Sequence, residues 1–246
     1  MKVAIITGGN KGIGLELSKN LLKNNYKVIV GGRSSYIDEG TINKIDFLKV
    51  DLTRYEEHQK LVEKAIKKYG QLDLYVNNVG VSDWRPIEKV DKDFLDKLIS
   101  TNLYSTFWGC KASEPYLNNN GSIINISSLA GKRGSKNNSV YVSTKFAMNG
   151  LTQSLAKELG PRNIRVNAIC PVLIKTEGLV RSLEDKYSPV SSTVDDFLIE
   201  FTNSQTALNR LPTGKEVSEM LVFLASEKAS AITGQCINVD CGVFPQ

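Results

Sequence analysis

Tyr141 and Lys145 stand four residues apart in the run Tyr141-Val-Ser-Thr-Lys145, which opens a helical pattern and so places both side chains on one helix face. A phenol ordinarily titrates near ~10, too high for a base at neutral pH. An ammonium within ~4 to 6 Å favours the phenolate and lowers that value. The pair is therefore read as an acid/base device. A strand-like run over residues 122–126 ends in Ser127 and Ser128, and a loop rich in Gly, Ser, Lys and Asn leads from there to Tyr141. Tyr-x-x-x-Lys occurs once in the chain. Alone, that spacing equally describes an exposed pair on a helix, so its weight comes from the elements around it.

The first of those elements is a short β-branched run, Val3 to Thr7, that breaks straight into glycines, as a buried parallel strand does. Gly8-Gly-Asn10-Lys11-Gly12-Ile13-Gly14 follows, and then a helical pattern runs through Leu15, Leu17, Leu21 and Leu22. Strand, glycine turn and helix start stand in the order of a dinucleotide site. The glycines let backbone approach a pyrophosphate, and the free N–H groups of the helix start favour its charge. A second strand over residues 27–31 delivers Gly32 and Arg33 to the place where such a fold meets the adenosine ribose. An acid there would grip the ribose hydroxyls. A small residue followed by Arg leaves space and charge for a 2'-phosphate, so Arg33 with Lys11 points to NADP(H), with NAD(H) as the second choice.

Further along, the spacing predicts a shortened crossover after Arg33, a third strand over 45–50 and a helix over 55–69 stopped by Gly70. A fourth strand over 72–76 ends at Asn77-Asn78-Val79-Gly80, the edge where open α/β sheets bind ligands. Trp84 and Arg85 lie in the next loop, positioned either to meet a substrate or to pack. A helix from Asp91, broken near Asn102, is expected to reach Leu117; Asn102 sits among apolar neighbours and must find polar partners there. The Tyr141 helix should stop at Gly160-Pro161, before a sixth strand over 164–170. Residues 172–212 show the least regular pattern and are read as a substrate-lid insertion. A helix over 216–225 and a strand over 235–239 close one doubly wound α/β domain of Rossmann type spanning 1–246, with helices on both faces of a parallel sheet.

Composition narrows the function classes. Hydrophobic residues at 41% and charged residues at 23% suit a globular protein, and no run reaches the ~18 apolar residues needed to cross a membrane. With a strand pattern already at Val3, the expected location is cytoplasmic. Cys110, Cys170, Cys236 and Cys241 are scattered and accompany one histidine, His58, so no metal site is expected and the thiols are read as buried and reduced. A net charge of +5 spread along the chain argues against a nucleic-acid surface.

Taken together, these segments resemble the short-chain dehydrogenase/reductase family, in its shorter-subunit branch, over residues 2 to 243. The resemblance rests on Thr7-Gly-Gly-Asn-Lys-Gly-Ile-Gly14, Asp51, Asn77-Asn-Val-Gly80, the set Asn102/Ser128/Tyr141/Lys145, and Arg165-Val-Asn167 leading to Pro171. It implies a seven-stranded sheet and a homo-oligomer, commonly a tetramer. By that likeness Tyr141 exchanges a proton with the substrate oxygen, and Ser128, thirteen positions earlier, hydrogen-bonds that oxygen. Lys145 would hold the nicotinamide ribose and lower the Tyr141 pKa, while Asn102 would carry a water-linked proton path. Asp51 and Leu52 would border the adenine, Asn78 the adjoining ribose, and Ile174 and Thr176 the nicotinamide and phosphate end. Val79, Val172 and Cys241 depart from the family pattern, which has Ala, Gly and Gly there. The expected function is NADP-dependent transfer of a hydride between nicotinamide and a ketone or secondary alcohol. A 3-oxoacyl thioester is the commonest family answer for the substrate, and a neutral or weakly charged small carbonyl is expected. An NAD-dependent diol or dihydrodiol dehydrogenase, and a catalytically silent dinucleotide-binding regulator, are the alternatives.

Overall fold

The computed structural model describes residues 1–34 and 39–245. Its strands are β1 (Val3–Thr7), β2 (Lys27–Gly32), β3 (Ile45–Lys49), β4 (Leu72–Asn77), β5 (Leu117–Ile126), β6 (Arg165–Pro171) and β7 (Cys236–Val239). They form one seven-stranded sheet in the order β3-β2-β1-β4-β5-β6-β7, and every neighbouring pair runs parallel. Sequence order reverses between β1 and β4, so the crevice for a ligand opens outside their carboxyl ends.

The helices are α1 (Gly12–Lys23), α2 (Glu39–Ile42), α3 (Tyr55–Tyr69), α4 (Lys92–Leu98), α5 (Ser105–Ser113), α6 (Ser139–Leu159), α7 (Glu177–Leu183), α8 (Val194–Gln205) and α9 (Gly214–Ala225). β1 is buried at every position, the pattern of a strand covered on both faces. Ile5, Ile29, Tyr75 and Ile123 pack with Leu61 and Ala65 of α3 in one core layer. Ala4, Ile6, Val28 and Val76 pack with Leu17 and Leu21 of α1 and Val217 and Leu221 of α9 in the other. Helix layers on both faces follow directly from alternation along the strands.

Several sequence expectations need correction. The helix from Asp91, capped by a 2.8 Å bond from Phe94 N to Asp91, is broken near Asn102 as expected, by a π-helical turn over Ile99–Tyr104, but it ends before Leu117, which already belongs to β5. The crossover after Arg33 is shortened as expected, holding the single turn α2, and positions 35–38 lie outside the described residues. The Tyr141 helix does stop at Gly160, since α6 ends at Leu159; a tight turn follows over Gly160–Arg162, and the left-handed residue beyond it is Asn163 at φ 56°. Residues 172–212 are more regular than expected, because Thr176 and Thr193 each accept a hydrogen bond from the third residue beyond them and start α7 and α8. Cys110 and Cys170 are buried thiols, whereas Cys236 and Cys241 are only partly covered. No described helix is long and apolar enough to cross a membrane, and the described residues hold no His/Cys/Asp/Glu cluster fit for a metal.

Candidate active site

Four strands deliver the site at the carboxyl edge of the sheet: β1 leads into the glycine turn, β4 into Asn78, β5 into Ser128 and β6 into Val172. At the glycine turn, a Cβ on Gly14 would stand 2.1 Å from the Gly8 carbonyl oxygen, so only glycine lets α1 start against the strand end. Gly8 and Gly12 have φ of 64° and 51°, a region that favours glycine. A Cβ on Gly12 would meet nothing nearer than Thr176, at 3.7 Å, which leaves a gap between the two segments. Lys11, at the head of α1, gives no side-chain cap, and the first turn contains no acid. The amides of that turn are therefore available to an anion.

Asparagines tie this turn to its neighbours. Asn10 is buried and donates to the Ser34 carbonyl at 2.8 Å, holding the exit of β2 beside the turn. Asn78 Nδ2 donates to Thr7 O at 2.9 Å and Gly8 O at 3.2 Å, while the Asn78 backbone N–H donates to Thr7 Oγ1. Arg33 and Lys11 are exposed, and neither forms an ion pair with another described residue. Asp51 accepts from Thr53 N and Oγ1 at 3.1 and 2.9 Å. The carbonyl of buried Leu52 is held by His58 Nε2 at 2.9 Å.

The acid/base group lies a few residues away. Lys145 is 3% exposed, and its Nζ donates to Ile126 O at 2.9 Å and sits 5.7 Å from the Tyr141 ring centre. Ser128 Oγ shares a hydrogen bond with Tyr141 and accepts another from Ala130 N at 3.1 Å. Ser127 is the buried one of the two serines and turns its hydroxyl to Lys145 O instead. Asn102 is fully buried in the π-helical turn. It clamps Val81 by accepting from Val81 N at 2.8 Å and donating to Val81 O at 2.9 Å, and it donates to Thr144 Oγ1 at 3.2 Å. Gly80 stands between these groups: a Cβ there would lie 3.4 Å from Asn102 Oδ1 and 3.6 Å from Lys145 Nζ.

Electrostatics here depart from the sequence expectation. Burial raises the Tyr141 pKa above its ordinary value, and the Ser128 hydrogen bond offsets part of that rise. The ammonium donates to the Ile126 carbonyl, and burial pushes the Lys145 pKa down to about 8. Tyr141 is therefore a protonated phenol at neutral pH, fit first to donate.

Tyr141 and Ser128 open onto a cleft of about 620 Å³, where Ile13, Pro171, Val172, Ile174 and Thr176 line one side. Trp84, Leu183, Phe197 and Phe201 line another, and Trp84 is fixed by a 3.0 Å bond from Nε1 to Ser182 Oγ and by packing on Leu183 and Leu198. Arg85 does not reach the cleft; its guanidinium lies over the Phe94 ring at 4.7 Å and faces Asp91 at 3.7 Å. Among the charged and amide residues of the cleft, Arg133, Lys136, Asn138 and Glu200 carry no motif in the sequence. Only the position of the first three in the loop before Tyr141 could have pointed to them.

An oxidoreductase fold with a glycine-turn helix start beside a Ser-Tyr-Lys group defines the class, and the chain belongs to the short-chain dehydrogenase/reductase family. A family profile described as enoyl-(acyl carrier protein) reductase matches residues 8–244. Among the relatives, the 3-oxoacyl-[acyl-carrier-protein] reductase FabG of Thermotoga maritima is 33% identical, the alignment covering 98% of this chain and 97% of that one. L-2,3-butanediol dehydrogenase of Corynebacterium glutamicum is 31% identical over 99% and 98% of the two chains. Among solved structures, ligand-free aldohexose dehydrogenase of Thermoplasma acidophilum superposes with a TM-score of 0.90 at 30% identity, covering 100% and 97%. A variant of actinorhodin polyketide ketoreductase, solved with NADPH, gives 0.89 at 28% identity, covering 98% and 97%.

Proposed function

We propose that the protein is an NADP(H)-preferring oxidoreductase that interconverts a ketone and a secondary alcohol. The observation that carries this reading is the grouping of Ser128 and Tyr141, with Lys145 against them, at a cleft that Ile13 of the uncapped α1 start also lines. NADP(H), when bound, supplies or accepts the hydride. Gly8, Gly12, Ile13 and Gly14 would hold its pyrophosphate against the α1 amides, with Thr176 facing them across the gap. Asn10 keeps Ser34 and the exit of β2 in place, and Arg33 with Lys11 would take the 2'-phosphate. Asp51 and Leu52 would border the adenine; Asn78 and Gly80 the ribose next to it; Pro171 and Ile174 the nicotinamide.

Chemistry at the substrate oxygen falls to the chain. Ser128 orients that oxygen, Tyr141 passes it a proton, and Lys145 holds the ribose hydroxyls and steadies the phenolate left behind. Asn102, locked to Val81 and Thr144, keeps the loop after Gly80 beside Lys145 and would carry the water link through which a proton returns. Residues 172–212 act as the lid, and their apolar side chains exclude water from the cleft.

The test is NADPH oxidation with a panel of ketones and NADP reduction with the matching alcohols. Tyr141→Phe keeps the cofactor site and removes the proton, so turnover falls by ~10² to 10⁴. Near-full activity in that variant refutes the assignment. The exposed faces of Tyr104, Phe107, Tyr116 and Phe146 support a homo-oligomer. Sedimentation showing only a 27.2 kDa species at micromolar concentration counts against it.

A further inference from the structure

Resting on the ketone/alcohol reading, we propose that the substrate carries a carboxylate a few bonds from its carbonyl, and that Arg133, aided by Lys136 and Asn138, reads it. The loop between Gly131 and α6 forms one wall of the cleft and places all three side chains there. Arg133 is half-buried, yet it makes no ion pair and no side-chain hydrogen bond with another described residue. Other arginines withdrawn from water are engaged. Arg162 is paired with Glu114, and Arg165 donates to the carbonyls of Leu224 and Ser226. A guanidinium that gives up hydration without a partner is costly, and a carboxylate offers it two parallel acceptors.

Asn138 supplies an independent sign of a ligand on the same wall. It is 4% exposed, it lines the cleft, and its Oδ1 is buried with no hydrogen-bond partner. It also makes no side-chain cap for α6, so the local backbone does not occupy it. Its Nδ2 makes no hydrogen bond with a described residue and is not enclosed as Oδ1 is, so it already stands as a donor for a carboxylate beside Arg133.

Glu200 on α8 sharpens the choice of wall. It is the sole acid among the described residues lining the cleft, and it repels an anion from the lid side. Phe197 and Phe201, on the same helix, give that wall an apolar surface that suits a short carbon chain. The carbonyl then sits at Ser128 and Tyr141 and the carboxylate at Arg133. The neutral substrate that composition alone suggests is replaced by a keto acid and its hydroxy acid.

The experiment compares 3-oxobutanoate, 4-oxopentanoate and 5-oxohexanoate with their methyl esters, under saturating NADPH. The native protein is expected to favour at least one acid over its ester by about tenfold in kcat/KM. Arg133→Met should lower that acid-to-ester ratio roughly ten- to a hundredfold, acting mainly through KM. Arg133→Lys should keep part of the preference, since it retains charge and loses the fork. Glu200→Gln should raise it. A native preference for every ester, or an unchanged ratio in Arg133→Met with its melting temperature intact, overturns the proposal and leaves the oxidoreductase reading standing. Failure to turn over any ketone, acid or ester, overturns both.

Discussion

The two ends of the cleft are built on different principles. The glycine-turn end is made of backbone: Gly14 against the Gly8 carbonyl, Asn78 and Asn10 bonded to carbonyls, and an α1 start without a side-chain cap. The substrate end is made of side chains, with Trp84, Leu183, Phe197 and Phe201 forming one wall and Arg133, Lys136 and Asn138 another. A backbone site tolerates little variation and binds a ligand common to many proteins. A side-chain site can be rebuilt residue by residue, so it sets the individual substrate.

If the first end depends on fixed backbone, loosening its support should be costly. His58 is fully buried, and Leu52 O can only accept, so Nε2 carries the hydrogen and Nδ1 accepts from Tyr75 OH at 2.7 Å. Burial holds the His58 pKa down at about 4, below its ordinary 6.5. The unfolded chain takes up the proton first as pH drops. The contribution of His58 is therefore intact above pH 6.5 and lost as pH falls towards about 4, at a cost of about 2 to 3 kcal/mol. Urea unfolding at pH 7.5 and 4.5 should show this loss in the native protein and much less of it in His58→Gln; equal losses would sever His58 from the support of the adenine end.

A smaller effect is expected from Arg33, assigned with Lys11 to the 2'-phosphate at that end. Arg33→Gln should cut the preference for NADPH over NADH about ten- to a hundredfold. Gly32→Asp alongside it should reverse the order, provided Asn10 yields, because the new Cβ would stand 3.0 Å from Asn10 Oδ1. Steady-state kcat/KM with both cofactors decides the matter, and no change in either variant would make Arg33 a surface cation only.

The smallest expected effect lies behind the substrate end, where the chain after β7 meets the exit of α8. Cys241 occupies φ 54° where the family pattern has glycine, and its carbonyl accepts from Ala207 N and Leu208 N just beyond α8. Cys241→Gly should relieve left-handed strain of ~1 to 2 kcal/mol, offset by the greater freedom of glycine when unfolded. A net gain of up to about 1 kcal/mol in thermal unfolding is expected, and a loss would show that the thiol's packing outweighs the strain.

The same contrast explains what could be read from the sequence. The glycine turn, the helix over Tyr55–Tyr69 with its Gly70 stop, and the Tyr141/Lys145 pair declare themselves by spacing, because backbone geometry dictates residue type there. The helices of residues 172–212 were hidden by their interleaved charges, although Thr193 three residues before Asp196 is a helix-start signal. The Tyr141 pKa was misjudged because charge proximity is visible in a sequence and burial is not. Arg133 and Asn138 gain meaning only from the cleft they line.

The π-helical turn around Asn102 makes chain length itself a functional quantity. Such a turn holds one residue more than an α-helical turn of the same rise, and that surplus points the Asn102 amide at both backbone groups of Val81. Deleting a single residue between Leu98 and Ser105 would let α4 and α5 fuse into one regular helix, improving its hydrogen bonding while swinging Asn102 away from Val81. The segment should therefore accept many exchanges of side chain and no change in the number of residues.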